Sequence, residues 1–425
     1  MTPKWYVYIG TLVLALCLAV GLGTWTSPTQ ADGKPKAPRF QVDPFWPKPL
    51  PDNWVTGEVA GTCIDSKDHL FIVNRGFQTG GLVSPEGVAG QPMKSKASPP
   101  VIEFDRKGNV VNSWGDPAIV PTTVPPGPND GQNAFLPNSV HGCFVDYQDN
   151  IWIGGNGDGV VQKYSHDGHL LMQIGTKFVC DNPPANTCGN SGANPAANKS
   201  KTLLNQPADI AVDPANGDVY IADGYGNHRI VVFDKNGNYL RQWGSVGFGP
   251  GLFQPTDGGH PHCVVLARDG LVYTCDRGSD RIQVFEKDPK TCANTGLGGD
   301  RVCQPVKIIP VVPCTGAVSA VCPDPAKALG TAGSAWDVDF SPDKKQTFMY
   351  EADGGNEVLW TFDRLLGKIL SGFGRPGHMA GDFTFLHTIA VDSKGNLYLA
   401  ETVGGRRLQK FVQKGDDDHD NDRDK

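Results

Sequence analysis

Residues Leu204–Gly244 read LNQPADIAVDPANGDVYIADGYGNHRIVVFDKNGNYLRQWG. Four short runs of β-branched or aromatic residues lie in this stretch: Ile210–Val212, Val219–Ala222, Arg229–Phe233 and Tyr239–Trp243. Asp, Asn and Gly separate them, and these residues accept tight-turn geometry. Four strands of that length bury little by themselves, so a unit of this kind must stack against copies of itself. The copies are present. Matching strand pairs begin at Gly61 (GTCIDSKDHLFIVNRG), His141 (HGCFVDYQDNIWIGGNG), His262 (HCVVLARDGLVYTCDRG), Ala335 (AWDVDFSPDKKQTFMYEADGG) and His387 (HTIAVDSKGNLYLAETVGG). Six units of about 40 residues predict an all-β fold, a six-bladed propeller. The sixth unit lacks an obvious fourth strand, and Arg39–Val42 is a candidate to supply it and close the ring.

The repeats predict a propeller over 57–412, preceded by a leader (1–31) and an aromatic, Pro-rich strap (32–56). An acidic tail (413–425) without apolar residues follows. The formal net charge is −7 and there is no basic run, which excludes a nucleic-acid partner. The N-terminus places about twenty mostly apolar residues after Lys4. A signal peptide cleaved near Ala31 is the leading reading, an uncleaved membrane anchor the rival. A lipoprotein site at Cys17 is disfavoured by the bulky Leu16 before it. Each reading puts the body of the protein outside the cytoplasm, secreted or periplasmic. Removing Cys17 from the 11 cysteines leaves an even number. A workable disulfide set is 63–143, 180–188, 263–275, 292–303 and 314–322, although spacing does not fix connectivity. No C-x-x-C occurs, which argues against a zinc–thiolate site.

Aligning the first strand of each unit gives one position as Ala60, His141, Ala208, His262, Trp336 and His387. Histidine falls in units two, four and six. First strands line the channel of a propeller, so three imidazoles would converge from alternate blades, a zinc-type ligand set with an open position. At the end of the second strand stand Arg75 and Arg277, in opposed blades, placed to clamp a carboxylate. Tyr225, one residue past that position in the third unit, is a candidate general base.

These residues resemble the catalytic core of the peptidyl-α-hydroxyglycine α-amidating lyases, secreted six-bladed propellers of NHL repeats. The resemblance is carried by VAGTCIDSKDHLFIVNRG, LPNSVHGCFVD, the Leu204–Gly244 unit, HPHCVVLARDGLVYTCDRG and FLHTIAVDSKGNLYLAE, and spans about 40–412. It implies zinc held by His141, His262 and His387, with Arg75 and Arg277 at the substrate and Tyr225 taking a hydroxyl proton. It also implies a carboxylate-bearing small-molecule or peptide-derived substrate, split to an amide and glyoxylate, and a monomer. The family's calcium would take the carbonyls of Thr62 and Cys143 and an Asp where Thr388 stands here. A neutral hydroxyl is a poor ligand for that ion. A family cysteine beside the tyrosine is Gly226 in this chain, and no segment resembles the hydroxylating monooxygenase that makes the lyase substrate. Two further readings stand beside it. Calcium-dependent lactonases share the propeller but lean on Asp, Glu and Asn. A non-catalytic scaffold would bind through loops such as Phe77–Pro100 and Asp288–Pro325.

Overall fold

The structure, a computed structural model, describes residues 35–76, 96–115, 136–191, 194–255, 258–294, 301–311 and 333–415. The leader, the tail from residue 416 on and the expected 314–322 disulfide lie outside them, while the first residues assigned to the tail continue the strand Leu408–Lys414. No helix among the described residues is long and apolar enough to cross a membrane.

Six four-stranded antiparallel sheets form the blades. Their first strands are Val59–Ile64, Val140–Val145, Asp209–Val212, Val264–Leu266, Ala335–Phe340 and Leu386–Val391. The first strand of blade six packs on that of blade one, closing the ring. The outermost strand of blade six is Arg39–Asp43, paired antiparallel with Leu408–Lys414. The candidate segment Arg39–Val42 is therefore the closing strand, and strands of the ring run from Arg39 to Lys414.

Each blade is buried on both faces, so its inner strands carry no polar–apolar alternation. All of Val219–Asp223 and Arg229–Phe233 is buried, while Tyr239–Trp243 at the rim is half-exposed. The core is divided among the blade interfaces. Phe71, Val73 and Trp114 of blade one meet Ile151, Ile153 and Tyr164 of blade two. Ile72, Ile102 and Phe104 meet Tyr398 and Ala400 of blade six, with Trp46 of the strap between them. Burying apolar area at about 25 cal/mol per Å² makes each such layer the main stabilising term for its pair of blades.

An ion pair, buried in blades three and four and partly exposed at Arg407 in blade six, recurs where the second strand turns into the third. Arg229 Nε donates to Asp223 at 2.9 Å, Arg281 Nε to Asp276 at 2.8 Å, and Arg407 Nε to Glu401 at 2.6 Å. The spare guanidinium N–H groups hold the chain entering the blade: Arg229 donates to the Ser200 and Leu203 carbonyls, Arg281 to those of Gly249 and Leu252. Four of the five expected disulfides are formed, 63–143, 180–188, 263–275 and 292–303. The last closes a small hairpin, Cys292–Asn294 against Arg301–Cys303, inserted between the third and fourth strands of blade four.

Candidate metal centre and channel

The histidine position is built by a break in the ladder. In blades one, two, five and six the pairing of the first two strands slips by one residue, between Val59 and Gly61, His141 and Cys143, Ala335 and Asp337, and Leu386 and Thr388. A β-bulge re-aims the side chain at the slip. In blades three and four the equivalent residues, Ala208 and His262, stand just before the strand.

The three histidines converge. Ring centroids of His141, His262 and His387 lie 4.8–5.1 Å apart, and one ligand nitrogen of each falls within 4.8 Å of the others. His141 Nδ1 is 2.6 Å from the Ala208 carbonyl and His262 Nδ1 is 2.7 Å from the Trp336 carbonyl. Each partner occupies the histidine register of the next blade. His387 faces the Ala60 carbonyl in the same way, although its Nδ1 makes no full hydrogen bond. Carbonyls at Nδ1 fix the tautomer and leave Nε2 for the channel.

Burial, first, and then the charges of Arg75 and Arg277 lower the pKa of His141 to about 3. His262 is driven well down by burial, Arg277 and the other two imidazoles, and His387 by burial, His141 and both arginines. Neutral imidazole is the ligating form. Three neutral, pre-oriented Nε2 donors fit a zinc-type ion.

Tyr225 completes the cluster, its hydroxyl 3.1 Å from His141 Nε2 and 3.2 Å from His262 Nε2. Its loop is gripped by the insertion that carries Cys180 and Cys188. Ser191 bonds the Gly226 carbonyl and Asn227, and Asn205 donates to the Gly189 carbonyl. A Cβ on Gly226 would come within 2.2 Å of the Asn205 side chain, so close packing occupies the place where the resemblance implies a cysteine.

The two arginines are held differently. Arg75 donates to Glu58 at 2.8 Å and to the Val140 carbonyl at 3.2 Å. The Arg277 guanidinium lies 4.5 Å over the Trp336 ring and 5.9 Å from the Tyr225 ring. Trp336 also flanks His262 and His387, at 5.6 and 5.5 Å. Glu58 and His260 are supports that the sequence reading did not assign. His260 Nδ1 accepts the Gly278 N–H beside Arg277. Both stand two residues before the histidine register, so the same alignment read two positions earlier would have shown them.

Past the histidines the channel opens into a cavity of about 240 Å³ lined by all six first strands. Thr62, Cys143 and Thr388 line it, as do Asp209 and Asp337, which the sequence reading also missed. Asp209 accepts the Val264 N–H and Asp337 the Ile389 N–H, each at 2.9 Å from the next blade. These carboxylates tie adjacent blades. The set implied for calcium fits that ion poorly, since Thr388 contributes only a neutral hydroxyl.

The NHL repeat family model matches residues 204–233 and 259–285, in blades three and four. NHL repeat-containing protein 3 of Mus musculus is 26% identical over 97% of this chain and 97% of its own. Peptidylglycine alpha-amidating monooxygenase of Rattus norvegicus is 28% identical over 55% of this chain, which spans only 21% of that protein. A probable peptidyl-alpha-hydroxyglycine alpha-amidating lyase of Caenorhabditis elegans is 29% identical, covering 47% of this chain and 49% of its own. Repeats, blades and relatives agree that the chain is a six-bladed propeller of NHL repeats resembling the peptidyl-hydroxyglycine lyases.

Proposed function

We propose that the three-histidine centre holds zinc and that the protein is a carbon–nitrogen lyase of the peptidyl-α-hydroxyglycine type, acting outside the cytoplasm. The observation that carries this reading is the convergence of three neutral imidazoles and the Tyr225 hydroxyl on one point. Zinc bound there would supply a Lewis acid toward a substrate oxygen. Arg277, seated on Trp336, takes the substrate carboxylate. Arg75, held by Glu58, adds positive charge on the opposite wall. The Tyr225 oxygen receives the hydroxyl proton. As that proton leaves, the C–O bond becomes C=O, the C–N bond breaks, and the departing nitrogen takes a proton. R-CO-NH-CH(OH)-COOH thus yields R-CO-NH₂ and glyoxylate. Four disulfides support the location.

The test is glyoxylate release from α-hydroxyhippurate, with metal content measured beside it. Wild type is expected to hold zinc and turn over. His262→Ala is expected to lose the metal of this centre and at least 100-fold in rate. A folded wild type that binds zinc without turnover would favour a second reading, a non-catalytic scaffold.

A further inference from the structure

A second cluster lies at the far end of blade one's first strand, away from the histidine register. It follows from one irregularity among the hairpin turns. In four of these turns an Asp accepts two main-chain N–H groups on Oδ1, and an Asn four residues on donates its side-chain amide to that Asp. The pairs are Asp105–Asn109, Asp146–Asn150, Asp234–Asn238 and Asp392–Asn396. The turn between the first and second strands of blade one repeats the first half only. Asp65 Oδ1 accepts the N–H groups of Lys67 and His69, at 2.8 and 2.7 Å. Residue 69 is His, however, and its ring turns away to Glu103. Asp65 is only 6% exposed, and its Oδ2 has no hydrogen-bond partner.

The charge balance is inverted as well. Blade two places Lys163 on its third strand, 3.0 Å from the turn carboxylate Asp146. Blade six places Lys410 at the same register, within reach of the Asp392 charge. Blade one has Glu103 there, a second buried acid. His166, from the turn between the third and fourth strands of blade two, sets Nε2 3.1 Å from Glu103 Oε2. Its ring packs edge-on against Phe71. One ligand atom each of Asp65, Glu103 and His166 lies within 4.8 Å of the others. His69 Nδ1 holds the other Glu103 oxygen at 2.6 Å.

We propose that Asp65, Glu103 and His166 form a second metal site, taking a first-row divalent cation of the zinc and manganese type. Two carboxylates and one imidazole suit such an ion, and the half-exposed His166 leaves room for water to complete its coordination. His69 positions Glu103 from behind. The site clamps blade one to blade two at the end of the interface away from the histidine centre, beyond the Cys63–Cys143 bridge that joins the same blades. It is independent of the lyase reading.

Cobalt(II) titration of the metal-stripped protein tests this, in the His262→Ala background where the channel centre is disabled. That variant is expected to take up about one cobalt with visible d–d absorption, and adding His166→Ala should abolish the uptake. Zinc should raise the unfolding midpoint of His262→Ala by a few degrees, but not that of His262→Ala with Asp65→Asn. Equal uptake with and without His166 would overturn the site. So would an absence of uptake in a folded His262→Ala protein, leaving Glu103 bonded to the His69 and His166 rings without a metal.

Discussion

Trp336 shows at the scale of one residue how a register position acquires a task. It stands where three blades carry histidine, and its ring carries the Arg277 guanidinium at 4.5 Å. A cation–π contact of this kind is worth roughly 1–2 kcal/mol. Trp336→Ala should therefore raise KM for a carboxylate substrate about tenfold with a smaller effect on kcat, and Trp336→Phe should restore most of it. Steady-state kinetics on the two variants decide this. Asp339 is a second case. Burial pushes its carboxyl up to about 7, against the main-chain N–H groups of Phe340 and Val391 that it accepts. A carboxyl raised in the folded state binds its proton more tightly there than in the unfolded chain. Its contribution to stability is full below about pH 4 and is lost as pH rises toward 7. Denaturant melts across that window should show stability falling as pH rises, and Asp339→Asn should flatten the slope.

At the scale of elements, the Asp–Arg pair between second and third strands does the work of a rivet. Arg229 is fully buried, neutralises Asp223 and holds the chain entering blade three. Removing it leaves a buried charge uncompensated, and Arg229→Ala should cost about 3–5 kcal/mol in urea unfolding. The Cys263–Cys275 bridge joins the residue after His262 to the residue two before Arg277. The His262 N–H also donates to the Cys275 carbonyl at 2.8 Å. Replacing both cysteines by serine should lower stability by about 2–3 kcal/mol. On the proposed function it should also reduce glyoxylate release at temperatures where the fold persists, because one bridge steadies the proposed metal ligand His262 and the proposed substrate arginine Arg277 together.

The whole molecule depends on closure. Arg39–Asp43 completes blade six by pairing with Leu408–Lys414, and Phe40 packs edge-on against Tyr350 of blade five at 5.6 Å. Deleting residues up to Asp43 should expose a strand edge and lower the unfolding midpoint by several degrees or more. A native-like midpoint after that deletion would show that the interfaces between blades suffice without the closing strand.

Repetition made much of this protein legible in its sequence. Blade number, the closing strand and the histidine register follow from aligning six similar units, because equal positions in equal units meet at equal heights around one axis. What repetition cannot show is where a side chain turns once its repeat neighbours are replaced. Arg75 and Arg277 hold matching positions, yet one pairs with Glu58 and the other stacks on Trp336. Asp65 shares its turn with four others, and only tertiary packing reveals that its second oxygen is left facing Glu103 and His166. Strand period and turn chemistry are local properties and can be read along the chain. Contacts between blades join residues up to hundreds of positions apart, and the closed ring alone brings them together.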